Sequence, residues 1–589
     1  MERAVTMAAS LHATGLKKHI PVLGWLPTYP SRWLRRDVVA GVTTAAVVIP
    51  QAMAYATIAG LPVEVGLYAS LTPMVVYVLL GSSRVLSVSV TSTISLLTAT
   101  VLSATVSTSD PTELLVAAGT LAVLVGLLLI VAAILRLGFL ANFVSAPVLA
   151  GFKSGIGVVI LVGQIGKAMG ISVPKGAFVA TLLATIRGMD EANGAAVLVT
   201  LLVLAILVML PRLNRRVPAP LVAVAAGVLA AFVLNRAGAG VKLAGSIPAG
   251  FPSFQVPNWD LLRALLPGAL GIALMSFTES IAAARVFAEQ GDPTVDANQE
   301  LLALGAANVV GGLFQAYPGG GGTSQTAVNK ESGAKTQVAA LTTALAVALA
   351  LLFLAPLVSL IPVPALAALL LMAAAGLIKV KEFRAIGRYR KTELIWALAA
   401  FSGVLLLGTL QGILVAVALS MVMLLHAANN PPVYAVGRRP GTDIYRSLED
   451  HPDDETFPGL LIVRTEGSMN FASAPNAGEK LNQLVVESEP RVVILECSAM
   501  TDIEYTAMVM LTEGQEKMAR AGIELWLVGL NPGPLHRIRP SPLGQRLGDE
   551  CMFPALQQAV GSYRERFGER GDTEEPADRQ RLVTTLPND

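Results

Sequence analysis

What most constrains this chain is a recurrence. Between residues 37 and 428, apolar stretches of bilayer-spanning length follow one another with short polar breaks. They read as spans over 37–60, 62–80, 84–105, 112–135, 142–168, 194–210 and 219–235. After a longer polar loop at 236–263, seven more follow over 264–289, 296–315, 318–333, 336–360, 364–379, 392–409 and 411–427. With 53% hydrophobic and 14% charged residues, the composition excludes an ordinary water-soluble protein. A net charge of +2 gives no global field for a nucleic-acid partner.

The two halves of this fourteen-span region are alike. The third span of the first half holds Ser87-Val88-Ser89-Val90-Thr91-Ser92-Thr93, and the third of the second half holds Thr323-Ser324-Gln325-Thr326. Each half also has a short amphipathic piece after its fifth span, at 176–189 and 380–391. Seven is odd, so the second repeat is inverted relative to the first. Inverted repeats with interrupted helices at matching positions point to a transporter site. Repeat one is expected over 37–235 and repeat two over 264–428.

Charge placement orients the spans. Residues 1–36 show no signal-peptide pattern and carry Lys17, Lys18, Arg32, Arg35 and Arg36, the mark of a cytosolic flank. Loops after even-numbered spans hold Arg84, Arg136, Arg212, Arg215, Arg216 and the cluster from Lys379 to Lys391; Lys175, Arg187, Arg236 and Lys242 run against the trend. The bias predicts both termini inside, and the expected location is a cell inner (plasma) membrane.

Beyond the spans, 429–458 is rich in Pro, Arg and Asp and reads as a linker. Residues 459–565 alternate strand and helix patterns, with strands at 459–464, 491–496 and 523–528 and helices at 474–486 and 505–521, which predicts a small cytosolic α/β domain. The charged tail 566–589 is expected to be disordered. The two cysteines, Cys497 and Cys551, fall in this polar third, as suits a reduced domain without disulfides.

The chemistry-bearing residues cluster in the spans. Gly319–Gly322 interrupts an apolar region and is followed at once by Thr323, Ser324 and Gln325. Broken backbone at membrane depth must be satisfied by protein or by a wet cavity, and a free helix N-terminus there attracts anions. Thr91, Ser92 and Thr93 supply the matching half-helix, although hydroxyls in membrane helices also commonly bond back to their own backbone. In the first span Pro50 is expected to kink or break the helix, and Gln51 and Tyr55, four apart, share one face. They suit a cavity lining or interhelical hydrogen bonds. Glu279, inside the eighth span, is an expensive carboxyl there, expected to titrate or hold a cation; the structural alternative is pairing with Arg285 or a buried water. The glycine run is no phosphate-binding P-loop, because the required Lys after its last Gly is missing. Five scattered histidines lack metal spacing, and no nucleophile–base motif stands out, so neither an enzyme nor a cofactor is expected.

Several of these motifs resemble a known family. Asp37-Val38-Val39-Ala40-Gly41, Pro50-Gln51-Ala52-Met53-Ala54-Tyr55-Ala56, Ala59-Gly60-Leu61-Pro62 and Gly66-Leu67-Tyr68 are similar to the first-span signature of SulP (sulfate permease-like) anion permeases. Asn298-Gln299-Glu300-Leu301, Gly305, Asn308 and Ser324 through Thr336 resemble that family's ninth to eleventh spans, and the C-terminal domain looks like a STAS domain. The resemblance implies a uracil-permease-like fold: a core of spans 1–4 and 8–11, a gate of spans 5–7 and 12–14, a homodimer, and elevator-like motion of the core. It implies anion contacts at Gln51, Tyr55, Thr91 and Ser324 and cation coupling through Glu279. Many members have Ser-Arg where this chain has Ser324-Gln325, so dipoles and hydroxyls, with a co-bound cation, must hold the anion. Sodium-coupled bicarbonate members have a Thr one turn after the eighth-span acid; here it is Ala283, which puts proton before sodium as the coupled ion. In the STAS domain, the phosphorylatable Ser of bacterial antagonists is replaced by Glu504, with Tyr505 and Thr506 nearby. The expected function is proton-coupled transport of sulfate or a similar oxyanion. Alternatives are sodium-coupled bicarbonate transport, dicarboxylate transport, and a transporter-like sensor acting on a cytosolic partner through STAS. An anion channel gains nothing from a buried carboxylate on its path.

Overall fold

The computed structural model describes residues 20–568 apart from 107–109, 143–144, 174–177, 215–216, 246–249, 290–291 and 354. Lys17, Lys18, Lys175, Arg215 and Arg216 of the basic flanks, and the tail beyond 568, lie outside the described residues. The chain forms two compact units, Met1–Met421 and Val422–Asp589.

In the first unit, helices stand where the apolar stretches predict them. Ser31–Ala59, Val63–Leu80, Ser92–Thr105, Pro111–Ile134, Ala146–Ala168, Gly194–Leu213 and Ala219–Arg236 make repeat one. Leu262–Val286, Ala297–Leu313, Thr323–Glu331, Val338–Phe353, Val363–Leu377, Lys391–Leu407 and Thr409–Asn429 make repeat two. The amphipathic pieces are the helices Phe178–Arg187 and Val380–Tyr389. Among the described residues, eight helices are long and apolar enough to cross a bilayer unaided. The third and tenth are short because each is only half a span, 14 and 9 residues, entered through extended backbone. Pro50 does not break the first helix, which runs unbroken through it.

The spans sort into two bundles. In one, the fourth packs on the ninth, the second on the eleventh, the first on the eleventh and the eighth on the fourth. The first two of these contacts are equivalent under the inverted repeat, as are the last two. In the other, the fifth packs between the twelfth and thirteenth, and the sixth against the seventh and twelfth. Small residues let backbones touch: a Cβ on Gly312 would sit 2.4 Å from the Gly119 carbonyl oxygen, and one on Gly151 would sit 2.0 Å from that of Ala397. The sixth and seventh spans leave Leu198, Leu201, Leu229, Phe232 and Val233 exposed, a surface suited to lipid.

The second unit is built on a six-stranded sheet whose strands lie side by side in the order Met552–Phe553, Glu524–Val528, Val492–Glu496, Leu460–Thr465, Val433–Arg438 and Tyr445–Ser447. Its centre is the parallel trio β5 (Leu460–Thr465), β7 (Val492–Glu496) and β9 (Glu524–Val528), as the apolar runs predict. β3 (Val433–Arg438) and β4 (Tyr445–Ser447) lie within the stretch expected as linker. β3 is antiparallel to β5, with Val433 opposite Thr465, so the sheet begins before the composition changes. The basic and acidic residues that made 429–458 read as linker form edge ion pairs, Arg438 with Glu455 and Arg446 with Asp454, each at 2.5 Å.

Candidate functional site

The two interrupted spans meet at one crossing. β1 (Val88–Ser89) runs antiparallel to β2 (Gly320–Gly321), with Val88 opposite Gly321 and Ser89 opposite Gly320. The half-helices Ser92–Thr105 and Thr323–Glu331 start just beyond these strands. The glycines are there for closeness. None of Gly319–Gly322 has positive φ, yet an added Cβ would lie 2.8 Å from the Ser89 carbonyl oxygen at Gly319, 2.8 Å from Ser276 Oγ at Gly320 and 2.7 Å from a Leu86 methyl at Gly321.

Side chains from neighbouring spans satisfy this buried backbone. Ser276 Oγ donates to the Gly319 carbonyl at 2.7 Å, and the Gly321 amide donates to Ser280 Oγ at 2.6 Å. The Gly319 amide donates to Asn308 Oδ1 at 2.9 Å, which gives Asn308 of the ninth span its place. Gln325 is 2% exposed and acts as a cross-brace. Its Oε1 accepts from Ser89 Oγ, and its Nε2 donates to the Val90 carbonyl at 3.2 Å. Both ends of its amide are thus taken up by the opposite strand, a different position from the site-facing one expected.

Thr323 and Ser324 are exposed between buried neighbours, so the start of the tenth half-helix opens onto accessible space. Its N-cap is Gly322, with no side-chain cap, so the first backbone N–H groups are left to a ligand or solvent. The third half-helix is capped by Thr91, whose Oγ1 accepts from the Ile94 amide at 3.3 Å.

Glu279 lies against the third half-helix and is 6% exposed. Thr91 Oγ1 donates to its Oε2 and Thr93 Oγ1 to its Oε1, both at 3.2 Å. Tyr55 and Ser92, both buried, lie beside each other, with Tyr55 also facing Glu279. Tyr317 comes next, its hydroxyl 3.0 Å from Ser95 Oγ. Gln51, half-buried one turn before Tyr55, has an amide oxygen with no hydrogen-bond partner among the described residues. The side-chain contacts therefore bring Tyr55, Thr91, Ser92, Thr93 and Glu279 into one cluster. They do not tie Thr323 or Ser324 to it, and Gln325 is turned into the crossing.

Sequence reasoning misses Lys153. Its Nζ lies 3.3 Å from Glu279 Oε1 and is the ion-pair partner of that carboxylate, in place of Arg285. The signal was present, since a lysine in the interior of an apolar span is a functional candidate by default. It passes unnoticed because its partner is 126 positions away, on a helix of the other bundle.

The polar crossing inside an inverted repeat agrees with comparisons to known proteins. Residues 34–400 match the sulfate permease family model, and residues 451–559 match the STAS domain model. The chain is 36% identical over 554 residues to a probable sulfate transporter of Mycobacterium tuberculosis, covering 92% of this chain and 99% of that one. It is 32% identical over 563 residues to the chloroplastic sulfate transporter 4.1 of Arabidopsis thaliana, covering 92% and 82%. Its fold is similar to that of the murine Slc26a9 anion transporter, with a TM-score of 0.83 at 22% identity over 94% of this chain and 95% of that one. The transmembrane domain of the cyanobacterial bicarbonate transporter BicA matches with a TM-score of 0.59 at 26% identity, covering 66% and 98%. The fold is that of a fourteen-span inverted repeat joined to a STAS domain, and the chain belongs to the sulfate permease family.

Proposed function

We propose that this protein is a secondary active transporter that moves a small oxyanion, sulfate first, together with a proton, by elevator-type alternating access. The observation that carries the reading is the crossing itself: an uncapped half-helix N-terminus at Thr323 and Ser324 opens to accessible space, and its strand pairs with the one leading to Glu279's hydroxyl partners. Backbone N–H groups at a helix start recognise an oxyanion without a fixed charge, and the relatives' names supply sulfate as the first candidate. The sorting of spans into two bundles supports motion of one against the other. Gln51, Tyr55, Ser92, Thr323 and Ser324 are the proposed side-chain contacts of the substrate; Thr91 and Thr93, whose hydroxyl protons go to Glu279, line the same site; Gln325 is the brace and Glu279 the proton carrier. The domain plan proposed with it is the one read from sequence, with the sheet of the STAS domain starting at Val433. Both termini are assigned to the cytosol of a plasma-membrane protein, and the working unit to a homodimer.

The test is uptake into proteoliposomes. Radiolabelled sulfate, bicarbonate and dicarboxylates are offered under imposed proton or sodium gradients. Proton-driven accumulation of sulfate is expected; no uptake of any anion overturns the transporter reading, and accumulation that follows only sodium overturns the proton assignment.

A further inference from the structure

Resting on that reading, we propose that Lys153 is an anion-binding residue whose availability is set by protonation of Glu279. With Glu279 ionised, the ammonium is held by the carboxylate. With Glu279 protonated, the ammonium turns to the anion.

The geometry supports an exchangeable partner. Lys153 Nζ is 3.3 Å from Glu279 Oε1, an ion-pair distance rather than a short hydrogen bond. Its side chain is 24% exposed, against 7% for that of Glu279, so it can swing where the carboxylate cannot. Lysine is a point charge on a four-carbon stem with rotatable donors, suited to change partners. The two Glu279 oxygens keep the hydroxyls of Thr91 and Thr93 after the lysine leaves. A neutral carboxyl still accepts from both.

Charge accounting gives the reason. An anion next to an ionised Glu279 is repelled unless a cation stands between them, and that cation is already engaged by Glu279. From the elements around Glu279, the first span offers Tyr55 and the third only hydroxyls. The fourth has Glu113 in its first turn. Glu300 of the ninth accepts from Tyr77 and Ser82, and Lys330 of the tenth pairs with Glu289 at 2.8 Å. On the two spans themselves, Lys167 donates to the Thr57 carbonyl and Arg285 stands in the last turn of the eighth, and Lys153 is the cation paired with Glu279. One proton from water goes to the Glu279 carboxylate, Lys153 remains an ammonium throughout, and the positive charge gained by the pair is matched by the anion.

The pair also joins the two bundles, since Lys153 lies on the fifth span and Glu279 on the eighth. Protonation therefore releases a tie between them in the same step that recruits the anion.

The experiment measures binding of radiolabelled sulfate to the purified full-length protein at acidic and at alkaline pH. Its variants are Glu279→Gln, Lys153→Met, Lys153→Arg and the double Lys153→Met/Glu279→Gln. Wild type is expected to bind more tightly at acidic pH. Glu279→Gln should bind tightly at both, because the amide releases the lysine permanently. The double variant should bind about tenfold or more weaker than Glu279→Gln, while Lys153→Arg retains pH dependence. Were Lys153 only a structural partner of Glu279, the double variant would bind as Glu279→Gln does, and that result overturns the proposal while leaving the transport reading intact. The double variant carries no unpaired charge, so its folding is not compromised as that of Lys153→Met is. Failure of wild type to bind or transport any anion overturns both.

Discussion

Replacing Gln325 tests whether the half-helix crossing is braced as described. In the wild type the side chain accepts from Ser89 Oγ and donates to the Val90 carbonyl, and it is 2% exposed. Gln325→Ala leaves both groups buried without their partner, at about 1–3 kcal/mol each, or roughly 2–6 kcal/mol together. Gln325→Glu keeps the acceptor for Ser89 but turns a second oxygen on the Val90 carbonyl, so it also destabilises. Gln325→Arg is the sharpest case. A site-facing arginine would add a fixed positive charge and tighten anion binding. In the braced geometry its longer, charged head is forced in beside Ser89 and Val90, both fully buried, and the two strands must part. The assay is thermal unfolding of the purified protein, with sulfate binding measured alongside. All three variants should unfold at lower temperature than wild type, and Gln325→Arg should bind more weakly. An arginine variant as stable as wild type and tighter for sulfate would refute the brace and return residue 325 to the site.

Two other outcomes follow from the packing. Gly151→Ala places a Cβ 2.0 Å from the Ala397 carbonyl oxygen, which forces the fifth and thirteenth spans apart and should cost about 1–3 kcal/mol; unchanged thermal stability would show that the contact is slack. Cys497 is fully buried in the STAS unit, and burial pushes its thiol well above the ordinary range, with the charge of Glu496 adding to the effect. It should resist thiol reagents at neutral pH until the domain is unfolded, so labelling of native protein at Cys497 would contradict the sheet arrangement.

The spans were legible because the bilayer imposes one length on every apolar helix, and that signal is local. The interruption at Gly319–Gly322 was legible for the same reason, although its cause was not. Four glycines suggest conformational freedom, whereas here they allow the approach of Ser89, Ser276 and Leu86, residues separated from them in sequence. Nonlocality also hid the first two strands of the STAS sheet. Their Pro, Arg and Asp content reads as linker until β3 finds β5. Gln325 looked like a polar residue facing the site because helix position alone cannot tell an anion contact from a brace. Lys153 was missed because the meaning of an intramembrane charge lies in its partner, and the partner is on the other bundle.

The local charge balance separates mono- from divalent substrates. Each helix N-terminus contributes about half a positive charge, so the two half-helices together offer about +1. With Glu279 ionised and paired to Lys153, the pair adds nothing to this sum. Protonating Glu279 leaves the lysine charge uncovered and raises the total to about +2. A monovalent anion is matched before the proton arrives and gains little from it; a divalent one is matched only afterwards. Sulfate binding should therefore strengthen steeply from alkaline to acidic pH, whereas binding of a monovalent oxyanion such as nitrate should change little over the same range. Measured side by side on wild type and Glu279→Gln, the contrast should vanish in the variant. Equally small pH dependence for both anions would mean that the lysine never reaches the substrate, and that the half-helices alone set the affinity.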